Sequence, residues 1–380
     1  MNLFTIKNKL SLVTAALFAF AVLAAACSST EDIPVFGVAG SNQQDDATAT
    51  PETEIEALPT DPPTATPVPL PFGHIVFISN RDGQMNLYMT TPDGADVTRL
   101  TNAGFEDSSP RLSPDGTKVA FVSTVNGNMD VYVVDLLTRA VTRVTDAIEK
   151  DSSPSWSPDG VRLVFESFRD RNFEIYIANT DGSNQIRLTN DTAGDTSPVW
   201  SPRGDLIAFT SSRFGNNSNI LLLTLSGSIS SLTTNTASDS APTWSPDGSL
   251  LAFKTARNEL SDLCIINRDG LGQRCLTEAP AEYSSPVWSP NGEWIAASVK
   301  QGGQYGIHVF NIADNKVIKL SADGVEPRGI PAWSPDGIRL AVQAQVDGNM
   351  EIYTVLIAAN EFTRITFNPA HDGNPIWTAR

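Results

Sequence analysis

The sequence predicts an all-β protein, a seven-bladed propeller of four-stranded blades, and three observations carry the prediction. A period of 44 residues runs through the chain from Gly73, tryptophan and a tight turn keep the same clock, and each period holds four short strand patterns. Ser-Pro-Asp-Gly stands at Ser113 to Gly116, Ser157 to Gly160, Ser245 to Gly248 and Ser334 to Gly337, with variants at Ser201 to Gly204 and Ser289 to Gly292. The turn glycines therefore follow one another at intervals of 44, 44, 44, 44 and 45. Trp156, Trp200, Trp244, Trp288, Trp333 and Trp377 each lie two residues after a proline, and residues 73 to 380 number 308, or seven times 44.

Ahead of the repeats lie two segments of other kinds. Lys7 and Lys9 precede an apolar, small or hydroxyl run over residues 10 to 26, which ends Leu23-Ala24-Ala25-Ala26 before Cys27. Seventeen residues are short for a membrane span, and small residues before a lone cysteine resemble the bacterial lipobox. Residues 1 to 26 are read as a lipoprotein signal peptide and Cys27 as the lipidated residue, with an ordinary secretory signal or an uncleaved anchor as alternatives. Leu23 sits one place further from Cys27 than the usual pattern puts it. Residues 28 to 72 carry eight prolines, eight acids and no Lys or Arg, a composition that cannot offset the entropy of folding. With Cys27 they make a disordered tether with a coil dimension of roughly 40 Å.

Within each unit of the head, a first strand ends in Trp, the Pro/Gly turn follows, and a second strand such as Leu163 to Ser167 returns. A third strand (Glu174 to Ile177), a second hairpin (Thr180 to Ser183) and a fourth strand around Ile186 to Thr189 complete it. The second strands number seven, centred on Phe77, Phe121, Phe165, Phe209, Phe253, Ala297 and Val342. The first unit lacks a clear first strand, so Asn374 to Trp377 is expected to complete blade 1 and hide both sheet edges. The competing closing strand, Pro67 to Gly73, has three prolines in five residues and would forfeit ladder donors.

Composition narrows the function. At 41% hydrophobic and 18% charged the chain can bury a large core. The net charge of -17 becomes -19 once the signal's two lysines are removed, of which -8 lies in the tether and -11 in the head. Such a surface repels a phosphate backbone, so no nucleic acid is expected as a partner. Three cysteines and three histidines leave little material for a metal site, and no cofactor or metal is expected.

The repeated Pro-x-Trp-Ser-Pro-Asp-Gly resembles the TolB-like, or WD-like, β-propeller repeat family, and the resemblance covers all 308 residues of the head. It implies a ring of blades used mainly as a binding surface and sometimes attached to enzymes. The family's namesake is six-bladed with an added N-terminal domain, whereas this sequence counts seven units behind a tether. Its Tol and Pal envelope partners therefore do not carry over.

Aspartate precedes the blade proline by three residues at Asp107, Asp151, Asp195, Asp239 and Asp372, in a loop expected to open onto the central channel. A carboxylate ring could capture a cation or a basic peptide. The repeat itself favours structural ion pairs, because Asp372 shares a blade with Arg81, Asp151 with Arg169, Asp195 with Arg213 and Asp239 with Arg257. Where Tyr283 or Arg328 stands at the acid's place, Lys300 or Val346 stands at the arginine's, and Asp107 shares its blade with Val125. Breaks in a repeat mark candidate recognition sites. Asp107, Glu282, Tyr283, Arg328, His371 and Asp372 form a candidate binding mouth, with Tyr and Arg as anchors.

Catalytic residues are not singled out. The chain has no Gly-x-Ser-x-Gly elbow, and His74, His308 and His371 fall at three different points of their units. The expectation is an extracytoplasmic, lipid-anchored, monomeric binding or scaffold protein without catalysis, held at the cell membrane or outer membrane. Its partner would be an envelope or extracellular protein, peptide or glycan. A propeller polysaccharide lyase or hydrolase acting at the central channel is the alternative. Finally, Cys264 matches Tyr88, Tyr132, Tyr176 and Tyr353 by repeat position, while Cys275 matches Arg99, Arg143, Arg187 and Arg364. His308 with Lys319 continues the aromatic and cation pairing, so the two cysteines are expected to face each other across strands and form a disulfide.

Overall fold

The structure, a computed structural model, describes residues 73–102, 106–125, 127–215, 217–258, 260–278 and 281–378. The signal peptide (1–26), Cys27 and the tether (27–72) lie outside the described residues, as does the competing closing strand except for Gly73. Seven antiparallel sheets of four strands each follow in order. Blade 1 takes its first strand from the end of the chain: Asp372–Trp377 pairs with Ile75–Ser79, which pairs in turn with Asn86–Thr90 and Thr98–Arg99. Blades 2 to 7 begin with Asp107–Leu112, Asp151–Trp156, Asp195–Trp200, Asp239–Trp244, Glu282–Trp288 and Glu326–Trp333.

The second and third strands hold the core. Phe77, Phe121, Phe165, Phe209 and Phe253 are fully buried at the centres of the second strands. These strands read as continuous apolar runs such as Ile75–Ser79 and Leu163 to Phe165, not as alternations, because each face packs against a neighbouring blade. Fully burying one such ring contributes roughly 1.5–3 kcal/mol before entropy is counted. The outer fourth strands are short and half exposed, down to two residues in Thr98–Arg99 and Ile186–Arg187.

Local chemistry explains the sequence landmarks. In Ser-Pro-Asp-Gly the serine hydroxyl is the pivot: Ser113 Oγ donates to Asp115 Oδ1 at 2.6 Å and accepts from the Lys118 amide at 2.9 Å. Gly116 closes the turn with φ of 73°, where a side chain would strain the backbone. The blade prolines are tolerated in an inner strand because each sits in a bulge. Register jumps from Ser152 to Ser155 and from Thr196 to Val199, and the residue before each proline is left-handed, Ser153 at 54° and Ser197 at 53°. Blade 7 carries the repeat's one extra residue in this bulge, where register passes from Arg328↔Gln343 to Ala332↔Ala341. That residue accounts for the 45-residue interval.

Candidate functional site

Antiparallel pairing sets the start of each first strand beside the end of the second, so the blade-to-blade loop and the loop after the second strand share one end of the blade. The expected mouth residues lie there. The aspartates are strand residues, not loop residues: Asp107, Asp151, Asp195, Asp239 and Asp372 open their first strands and are all buried. Arg81 Nη2 reaches Asp372 Oδ2 at 2.9 Å, Arg169 Nη2 reaches Asp151 Oδ2 at 3.0 Å, and Arg213 pairs with Asp195. Each arginine also caps core aromatics, Arg81 lying 4.8 Å from the centre of Tyr88 and Arg169 4.4 Å from that of Tyr176. Burial pushes the carboxyl of Asp195 above its usual range despite the nearby cation.

The fourth expected pair is replaced. Asp239 Oδ2 accepts from Asn235 Nδ2 at 2.6 Å, while the exposed Arg257 donates to Thr255 Oγ1 at 3.2 Å. Asp107, whose blade has Val125 at the arginine's place, accepts from the buried Thr101 hydroxyl at 2.5 Å, and burial raises its pKa. Asp107 and Asp372 are thus framework residues and cannot line an open mouth.

Tyr283 also belongs to the core. It is 4% exposed, packs with Leu263, Ala281, Ala297, Val299 and Phe310, and its hydroxyl lies 3.2 Å from His308 Nδ1. Its register partner is Val299, as Asp107's is Ser123, so it does occupy the acid's place. The place two residues beyond Val299 is Gln301 and not Lys300, which instead pairs with Glu282. Tyr283 fills space that opens because Ala297 stands where five other blades have phenylalanine. The sequence carried that signal in the pairing of Tyr283 with Ala297. Anchoring a partner would need this ring in solvent, which the core forbids.

Arg328 is displaced by one position from the expectation. Ala344, two residues beyond Val342, pairs with Pro327, which is therefore the acid's counterpart, because the extra bulge residue shifts the count. Arg328 stacks 4.1 Å from the centre of Tyr305 and pairs with Glu326 at 2.5 Å. Glu282 is exposed, and His371 is half-buried with its amide donating to Asn80 Oδ1 at 2.7 Å. The mouth-side polar surface of blades 6 and 7 is thus Glu282, Lys300, Tyr305, Glu326 and Arg328, with His371 on the next blade.

Cys264 and Cys275 are directly opposed in register and joined by a disulfide. The five aromatic and cation pairs share that register. Within that register the ring of Tyr88 is capped by Arg81 from the loop and not by its cross-strand partner. The fourth-strand arginines turn instead to the backbone, Arg99 Nε donating to the Thr101 carbonyl at 2.6 Å and Arg143 Nε to that of Thr145 at 2.8 Å. Among the described residues no three His, Cys, Asp or Glu side chains gather around a position that could hold a metal ion.

The first strands enclose a channel of about 660 Å³. Prolines 110, 154, 198, 242, 286, 331 and 375 line it together with Trp200, Trp244, Trp288, Trp333 and Trp377. One charged side chain, Arg111, stands among the lining residues.

A family model described as the TolB beta propeller domain matches residues 261–379, and one for the dipeptidyl peptidase IV N-terminal region matches residues 113–214. A TolB homolog from Chlorobaculum tepidum is 46% identical over 46 residues, a stretch amounting to 12% of this chain and 11% of the relative. TolB from Acinetobacter baumannii is 21% identical with a TM-score of 0.54, the match covering 80% of this chain and 66% of that one. Oligogalacturonate lyase from Vibrio parahaemolyticus is 14% identical over 77% of this chain and 84% of its own, with a TM-score of 0.58. A puromycin-hydrolyzing peptidase from Mycobacterium tuberculosis is 14% identical with a TM-score of 0.61, covering 76% of this chain and 50% of its own. At such identities the solved structures share a fold with this chain and nothing finer. The repeat spacing, the matched domain over residues 261–379 and the seven closed sheets agree: the head is a TolB-like β-propeller.

Proposed function

We propose that this chain is an extracytoplasmic, lipid-anchored binding or scaffold protein whose mouth-side surface on blades 6 and 7 engages an envelope or extracellular protein, peptide or glycan, with no reaction of its own. The observation that carries the reading is the fate of the ring aspartates. All five are buried and held by arginine, threonine or asparagine, so the carboxylates that acid–base chemistry would need are absent from the channel lining described. The polysaccharide lyase or hydrolase reading has less support for that reason. On the mouth surface, Arg328 and Tyr305 offer a preformed cation and ring pair flanked by the acids Glu282 and Glu326.

The lipid anchor rests on Cys27 and the residues before it. Metabolic labelling with a fatty-acid analogue should tag the wild type and not Cys27→Ser; equal labelling removes the anchor. Partner capture from envelope extract should fall with Arg328→Glu by more than stability does, since losing an interface anchor costs roughly 2 kcal/mol of binding, whereas a substitution at a half-buried surface arginine costs about 1 kcal/mol of stability. Unchanged recovery with Arg328→Glu rules out this surface.

A further inference from the structure

Arg111 is the residue after the proline in the first strand of blade 2. The six equivalent residues are Ser155, Val199, Thr243, Val287, Ala332 and Ile376, and all seven line the channel. They form one course of its wall, with apolar or hydroxyl side chains in six places and a guanidinium in the seventh. A structural repeat has no need of that charge at this position, since six blades close the same wall without it.

Among the described residues no carboxylate pairs with the guanidinium. Its one protein partner among the described residues is the carbonyl of Pro110, which accepts from Nη1 at 3.0 Å, and none of the eleven ion pairs among the described residues includes it. Water reaches the side chain along the channel, yet protein surrounds it closely enough that burial pulls its pKa below the ordinary arginine value. A cation held in an apolar wall with most of its donors unused attracts an anion more strongly than one on an open surface. The space is ample: about 660 Å³ falls within the range of small-ligand sites.

We propose that the central channel binds an organic monoanion, with the ligand's carboxylate on the Arg111 fork and its apolar body against Val199, Val287, Ile376 and the channel tryptophans. Carboxylate is the class indicated because the planar guanidinium matches two oxygens at once. Proline supplies no amide N–H and the other side-chain donors of the lining are neutral hydroxyls and indoles, so the one cationic donor stands at a single point of the ring. This site is separate from the mouth-side surface of blades 6 and 7 and goes beyond the partner reading; either can fail alone.

Five tryptophans line the channel, so intrinsic fluorescence of the purified full-length chain reports its occupancy. Phenylacetate is the first probe and its neutral counterpart phenylacetamide the control. The tripeptide Ala-Ala-Phe and its carboxyl-terminal amide then separate a small acid from a peptide carboxyl terminus as the source of the charge. Saturable binding of phenylacetate is expected, weakened about ten-fold or more in Arg111→Gln and retained in part in Arg111→Lys, with phenylacetamide equally weakened on the wild type. A tighter Kd for the tripeptide than for phenylacetate assigns the site to a chain end, and the reverse order assigns it to a small acid. Among the described residues the Arg111 guanidinium forms no ion pair and its one hydrogen bond is to the adjacent Pro110 carbonyl, so Arg111→Gln should melt close to the wild type. Equal affinity of acid and amide, equal affinity of wild type and Arg111→Gln, or no saturable change with either acid overturns the proposal.

Discussion

Blades 3 and 6 share a backbone and fill the same space by different chemistry. In blade 3 the buried Asp151 holds Arg169, whose guanidinium covers Tyr176, with Phe165 beneath. In blade 6 Tyr283 stands at the aspartate's place, Ala297 at the phenylalanine's and His308 at the tyrosine's, and the three pack with Phe310. A charged pair with a stacked cation has been exchanged for an aromatic plug. Repeat breaks look like recognition sites when read singly, and this one is a coordinated repacking of at least three residues. The lesson is that a departure in a repeat has to be read together with its neighbours in space before it is assigned to a ligand.

The comparison breaks most sharply at Tyr283. Tyr283→Ala should lower unfolding free energy by about 4 kcal/mol in urea denaturation, as expected for emptying a buried aromatic site, and adding Ala297→Phe should recover part of it. A loss under about 1 kcal/mol would mean that the ring is not the plug.

Acid should separate the two blades next. Burial, with the nearby Lys319 as a second cause, lowers the pKa of His308 from 6.5 to about 4, and the residue is 8% exposed. The unfolded chain takes up this proton near pH 6.5, whereas the folded protein does so only near pH 4, so stability falls as pH drops through that window and is flat with respect to this group above it. The difference between wild type and His308→Phe should change by about 3 kcal/mol across the window. Parallel pH profiles for the two proteins would show that His308 titrates normally.

The smallest contrast is between two arginines with the same repeat address. Arg169→Ala leaves Asp151 buried without its cation and should cost about 2 kcal/mol. Arg257→Ala, at an exposed residue whose expected acid is held by Asn235, should cost less than about 0.5 kcal/mol by thermal melting. Equal losses would return Arg257 to an ion-pair role.

Much of the fold was legible because a propeller repeats its instructions. Turn glycines and tryptophans set the period, the apolar second strands set the count, and the missing first strand of the first unit pointed to closure by Asn374 to Trp377, which lies within the observed strand Asp372–Trp377. The Cys264 to Cys275 pairing was legible too, since substitution at two positions of one blade reports that the two places touch. The candidate mouth was less so. Sequence spacing put Arg328 at the acid's place, but one extra residue inside a bulge moved that place to Pro327, and no linear count locates such a residue. Nor did the repeat mark Arg111, whose neighbours at that position already vary among Ser, Val, Thr, Ala and Ile.

By itself the sequence determined the seven-fold architecture, the antiparallel pairing within blades and the position of the Pro/Gly turns, because each of these depends on local residue types recurring at a fixed interval. Only the tertiary structure decided which polar residues reach solvent. Whether Asp372 meets Arg81 across 291 positions, whether Tyr283 turns into the volume left by Ala297, and whether Arg111 faces a channel without an acid all depend on which surfaces the closed ring brings together. Burial and charge pairing are properties of that closure, since a side chain's solvation is set by neighbours from other strands and other blades and not by its own place in the repeat.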